Sequence, residues 1–66
     1  MSMNIGDNIR RQREEKEMSQ TELADRVFVN RSTICRIESN VKLPSLLLAK
    51  ELAKVLECAV DDFLKD

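Results

Sequence analysis

An all-α fold, a compact bundle of five short helices, is what this sequence predicts, and three observations carry that prediction. The 66 residues include one Gly, one Pro and two aromatic side chains, a composition that favours helices over sandwiches or barrels of strands. Apolar residues recur at helical spacing; Leu46, Ala49, Leu52, Ala53 and Leu56 share one face at about 100° per residue. Asn4, Ser19, Asn30 and Ser45 each stand just before such a stretch, where a short polar side chain caps unpaired amides.

The first helix is predicted from Ile5 to Lys16, with Asn4 as its N-cap. Ile5 and Ile9 mark its buried side, Gln12, Arg13 and Lys16 continue near that stripe, and Gly6 falls in the first turn, where it costs least. Ser19-Gln20-Thr21-Glu22 fits a capping box, in which the Ser hydroxyl accepts from the third amide and the Glu reaches back. The second helix that follows carries Leu23, Ala24 and Val27 on one face. Phe28 and Val29 form a short connection, and Asn30 caps a third helix of about eight residues with Ile34 and Ile37 turned inward. Asn40 suits a left-handed terminator. Leu43-Pro44-Ser45 then breaks the chain, and Ser45 caps a fourth helix to about Leu56. A last short helix, about Val60 to Leu64, has Asp61 and Asp62 in its first turn, as the helix dipole favours. Ala59 is a poor cap, so this helix is expected to fray.

Length and composition exclude several functions. Residues 1–66 are read as one domain, since so short a chain buries only about 60% of its unfolded surface and has little apolar material beyond its core. With 42% hydrophobic and 35% charged residues it is a folded globule and not a disordered tail. There is no His, and Cys35 and Cys58 are too few and too far apart for a zinc cluster, so no metal, no cofactor and no enzymatic activity are expected. No apolar run approaches membrane-spanning length and the N-terminus lacks a signal pattern, which points to a reduced, cytoplasmic protein without membrane contact. The formal net charge is −1, but it is uneven. Residues 26–42 carry +3, through Arg26, Arg31, Arg36 and Lys42 against Glu38, between flanks of −2 each. A basic stripe on an acidic body suits a protein that docks on a polyanion in one orientation.

Two short helices joined by a few residues, the second bearing exposed basic side chains, suggest a helix-turn-helix centred on residues 20–37. Ala24 sits where the two helices must cross closely, and Ile34 and Ile37 pin the second of them to the core. The opposite face then shows Arg31, Ser32, Cys35 and Arg36.

The run Ser19-Gln20-Thr21-Glu22-Leu23-Ala24, followed by Asn30-Arg31-Ser32-Thr33-Ile34-Cys35-Arg36-Ile37-Glu38, resembles the Cro/CI-type (XRE-like) helix-turn-helix family of phage and bacterial transcriptional regulators. Ile9 with Arg13, Leu43-Pro44-Ser45, and Leu56 to Leu64 extend the likeness over essentially the whole chain. The resemblance implies the five-helix fold of a lambda-repressor-like DNA-binding domain, with the helix at about 31–38 entering the major groove of a double-stranded operator. Arg31 and Arg36 would then donate to guanine edges, Ser32 would donate or accept, and Cys35 would touch a thymine methyl, where oxidation would block binding. Gln20 occupies the position whose side chain contacts phosphate in the family, beside the unpaired amides that begin the second helix. Asn30, Thr33, Ser39, Asn40 and Lys42 are candidate phosphate contacts along the groove edges. Arg13 is implied to pair with Glu38 in a partly buried, structural ion pair. The family usually has Gly where this chain has Glu17, Phe28, Asn40 and Glu57; Phe28 is the severest departure, since a bulky residue at positive φ is strained.

Family members dimerise on half-sites about one DNA turn apart. A homodimer interface is expected at Leu48, Val55 and Leu64, with the N-terminal methionines as a weaker option, Val60, Phe63 and Cys58 in the core, and Leu47 without a role. The absence of any further domain favours a compact Cro-like repressor or a controller-type regulator. The competing reading is a protein-interaction module, such as an antitoxin, whose exposed leucines bind a protein partner.

Overall fold

Four α-helices and a closing 3-10 turn follow one another along the chain: α1 (Ile5–Glu15), α2 (Gln20–Arg26), α3 (Arg31–Glu38), α4 (Leu46–Val55) and the turn Val60–Phe63. The structure is a computed structural model and describes residues 4–64, so Met1 and Met3, named as a second dimer option, lie outside it. Among the described residues no strand forms, and no helix is long and apolar enough to cross a membrane.

Local chemistry sets the helix boundaries. At Ser19 both halves of the capping box are made: Glu22 N–H donates to Ser19 Oγ (3.0 Å) and Ser19 N–H to Glu22 Oε1 (3.4 Å). Ser45 Oγ accepts from Leu48 N–H at 3.1 Å and starts α4. Asn4 and Asn30 occupy N-cap positions with extended backbone, yet neither side chain caps an amide; Asn4 Nδ2 instead donates to Asp7 Oδ2 at 3.0 Å. The connections turn through left-handed residues at Glu17 (φ 55°), Phe28 (φ 61°), Asn40 (φ 64°) and Glu57 (φ 58°). These are the four positions at which the family pattern has Gly, so the chain keeps the turns and tolerates the strain.

The core lies where α1, α2, α3, α4 and the closing turn converge. Ile9, Leu23, Ile34, Ile37, Leu52, Leu56 and Phe63 are its fully buried large side chains, with Met18, Ala24, Val27 and Ala53 filling between them. Val60 and Cys58, expected in the core, are partly buried against it. Ala24 is buried at the α2–α3 crossing, as close packing there requires.

Three features depart from expectation. The sequence predicts a fifth helix; the chain instead makes one 3-10 turn at Val60–Phe63. Ala59 offers no side-chain acceptor, although its N–H donates to Asp62 Oδ2 (2.9 Å), and Asn8 Nδ2 donates to the Phe63 carbonyl at 2.8 Å, drawing on the group a continuing helix would use. Leu46, placed on the core face of α4, is 69% exposed, because it is the first helical residue and that end of the stripe overhangs the core. Gly6 proves to be a contact point and not a tolerated interruption. Its N–H donates to Asn40 Oδ1 at 3.0 Å, and a Cβ there would overlap the Ile37 carbonyl oxygen and lie 2.9 Å from that of Glu38. The start of α1 therefore rests directly on the end of α3.

Candidate nucleic-acid interface

The outer face of α3 follows from the burial of the inner one. Ile34 and Ile37 are 0% and 1% exposed, which turns Arg31, Ser32 and Arg36 fully outward and leaves Cys35 and Thr33 half-buried at the margins. The four predicted base contacts, Arg31, Ser32, Cys35 and Arg36, thus share a helix of eight residues with Thr33, a predicted phosphate contact. Asn30 is exposed at its start, and Ser39 and Lys42 are exposed just beyond its end. Among the described residues Arg31, Arg36 and Lys42 make no salt bridge, whereas Arg26 pairs with Glu22 at 3.6 Å and Arg10 with Asp7 at 3.9 Å. The unneutralised positive charge of this stretch therefore sits on and beside α3.

A buried ion pair fixes α3 to the scaffold. Arg13 Nε donates to Glu38 Oε2 at 2.7 Å and Nη2 to Glu38 Oε1 at 2.9 Å, a two-pronged contact between side chains that are almost wholly buried. The remaining Arg13 Nη1 donates to the Met18 carbonyl at 2.7 Å, which ties the α1–α2 connection into the same group. The Glu38 hydrogen bond holds the Arg13 guanidinium above its ordinary pKa; burial pulls it down, and the charges of Glu38 and Glu14 add to the rise. With its charge and donors satisfied, the pair tolerates burial that an isolated charge would not.

Gln20 joins this group. Its Nε2 donates to Glu38 Oε1 at 3.0 Å, leaving one N–H on that nitrogen for an outside acceptor. The first side chain of α2 is thus oriented by the last residue of α3. Asn40 is differently committed: Oδ1 accepts from Gly6 N–H and Nδ2 donates to Asp7 Oδ1 at 3.3 Å, so this candidate phosphate contact spends its side chain within the fold. Of the expected self-association residues, Leu48 and Val55 are partly buried on the core and Leu64 is 47% exposed.

Sequence reasoning missed Gly6, Asn8, Met18 and the Gln20–Glu38 bond. Each depends on partners from another element, and the sequence carries no local signal for any of them.

The arrangement is a short helix held rigidly at its C-terminal end, presenting basic and small polar side chains outward above an otherwise acidic body. The chain matches the helix-turn-helix family over residues 9–63. It is 43% identical over 60 residues to an uncharacterized HTH-type transcriptional regulator of Methanothermobacter thermautotrophicus, covering 88% of this chain and 87% of that one. Among solved structures it is similar to SinR, the master regulator for biofilm formation, in complex with DNA (34% identity, TM-score 0.86, 92% of this chain and 98% of that one). It is also similar to the P22 c2 repressor in complex with a synthetic operator (28% identity, TM-score 0.89, 98% of this chain and 97% of that one). With the matched residues spanning every element from α1 to the closing turn, the chain belongs to the helix-turn-helix family of transcriptional regulators, of the Cro/CI (XRE-like) type.

Proposed function

We propose that this protein regulates transcription by binding a specific double-stranded operator as a homodimer, with α3 of each copy in the major groove. The observation that carries the reading is the outer face of α3, where Arg31 and Arg36 stand exposed and unpaired beside Ser32. A guanidinium matches the O6 and N7 acceptors of guanine, and each such bidentate contact contributes about 1–3 kcal/mol of discrimination. Ser32 and the half-buried Cys35 are small enough to let the helix approach the bases closely. Gln20, Asn30, Thr33, Ser39 and Lys42 flank this face and supply phosphate contacts that set register without reading sequence. The Arg13–Glu38 pair holds the reading helix at a fixed angle, so little ordering remains to be done on binding. Two related proteins of known structure, SinR and the P22 c2 repressor, are seen in complex with DNA, and this supports the same partner here.

The test is selection of bound duplexes from a random pool, followed by fluorescence anisotropy on the enriched sequence and on scrambled DNA at several salt concentrations. An enriched inverted repeat with half-sites about 34 Å apart, bound far more tightly than scrambled DNA, is expected. Arg31→Ala is expected to weaken that complex by about 1–3 kcal/mol and relax one base position, while Lys42→Ala lowers affinity for all sequences and reduces the salt slope by about one. No enrichment, or equal binding to both DNAs, would sink the reading.

A further inference from the structure

Among the described residues Phe28 is the most exposed large hydrophobic side chain, at 92%, and its backbone is left-handed. The turn holds the ring in solvent. Val27 is buried just before it and Val29 packs against the core just after it. The Phe28 N–H donates to the Asp25 carbonyl at 3.4 Å and the Val29 N–H to the Ala24 carbonyl at 3.0 Å, so the backbone is tied to α2 on both sides of the ring.

The other left-handed residues put their side chains to different use. Asn40 bonds Gly6 and Asp7, Glu57 pairs with Lys16 at 3.1 Å, and Glu17 is a charged group in water. Phe28 alone of the four joins a strained backbone to an apolar side chain that no other part of the fold covers. Its place in the chain decides which outside surface it meets. It precedes the N-cap residue Asn30 by two positions and Arg31 by three, so its Cα lies within about 11 Å of the first residue of α3. The N-terminal residues of a reading helix are those that enter the groove. The turn leading into them then comes down at the groove's edge, where the deoxyribose sugars present apolar surface between the phosphates.

We propose that Phe28 is a DNA contact, its ring packing on a deoxyribose of the operator backbone beside the bases that Arg31 reaches. This deepens the proposed function and rests on it. The contact adds affinity without reading sequence, and a neutral ring displaces no counterions from the phosphates. It also gives the strained turn a use. Stability is given up at residue 28 for contact area on DNA, so replacing the ring moves stability and affinity in opposite directions.

The test is fluorescence anisotropy on the selected operator and on scrambled DNA across a salt series, for wild type, Phe28→Gly, Phe28→Asn and Phe28→Leu, with Arg31→Ala and Lys42→Ala as references. Gly and Asn both suit left-handed backbone, so these variants keep the turn, and thermal melts check that they stay folded. Both are expected to weaken binding to either DNA by about tenfold for each half-site covered, as loss of a partly buried ring implies, and Phe28→Leu to retain most of the affinity. The salt slope should stay that of wild type, whereas Lys42→Ala lowers it by about one. A Phe28→Gly variant that binds as tightly as wild type overturns the proposal. So does a loss seen in Phe28→Gly but not in Phe28→Asn, since flexibility of the turn would then be its cause. A loss that vanishes when the thymines of the half-site are replaced by deoxyuridine overturns the sugar contact in favour of a thymine methyl. The two readings fail separately: an operator that Arg31→Ala weakens and Phe28→Gly does not removes this contact alone, while a selection that yields no operator sinks both.

Discussion

Replacing Phe28 by Gly is expected to make the protein more stable, although it removes one of the chain's two aromatic side chains, because that ring is exposed and its backbone is left-handed. Phe28 sits at φ 61° and is 92% exposed. A residue with a Cβ pays roughly 1–2 kcal/mol to adopt that conformation, and Gly pays almost nothing. Burying a Phe side chain is worth about 1.5–3 kcal/mol, but so exposed a ring earns little of it. Against the relief stands the greater entropy of Gly in the unfolded chain, roughly 0.5–1 kcal/mol. The balance favours Phe28→Gly by about 0.5–1 kcal/mol, which for a domain of this size raises Tm by roughly 2–8 °C. Thermal unfolding followed by circular dichroism measures it directly. Asn40→Gly is the internal control, because that position shares the left-handed backbone (φ 64°) but its side chain holds Gly6 N–H and Asp7. Losing those bonds, each worth about 1 kcal/mol, should lower Tm where Phe28→Gly raises it. A fall in Tm for Phe28→Gly would refute the reasoning, since it would mean that the ring stabilises the fold despite its exposure.

Gly6→Ala is expected to destabilise by about 2–3 kcal/mol in urea unfolding, although the same change in an ordinary helix gains about 1 kcal/mol, because the new Cβ overlaps the Ile37 carbonyl and forces α1 off α3. Arg13→Ala strands the Glu38 carboxylate in a nearly closed site and should cost about 3–5 kcal/mol, a large share of the total for so small a domain; a loss no greater than that of a surface pair would show the site to be wet. Burial, helped by Asp62 and opposed by Lys16, pushes the Cys58 thiol above its ordinary pKa. Its neutral form therefore stabilises the fold fully below the unfolded thiol pKa of about 8.5, and that contribution is lost as pH rises through the folded value. The fall in Tm above neutral pH should be shallower in Cys58→Ala, and identical slopes would contradict this.

The helices and their order were legible because their signals are local. The capping box at Ser19, the cap at Ser45 and the inward pair Ile34 and Ile37 each depend on residues within one helical turn, and each stands as read. The outward face of α3 followed from that inward pair. The family resemblance flagged Glu17, Phe28, Asn40 and Glu57 as departures from its usual Gly, and the structure decided that all four keep the left-handed turn; the resemblance also implied the Arg13–Glu38 pair, which spans 25 residues and has no local signature.

What tertiary structure alone decided concerns groups that meet across the chain. Gly6 and Asn40 are 34 residues apart, and Asn8 and the Phe63 carbonyl 55; the first brings α1 onto α3, and the second accompanies the change of the closing segment from a helix to a 3-10 turn. Leu46 has the spacing of a core residue and lies outside because the first turn of α4 extends beyond the core, and the first buried residue of that helix is Ala49. Gln20 turns toward Glu38 for the same kind of reason: helix periodicity assigns a face, but only packing decides which partner waits on it.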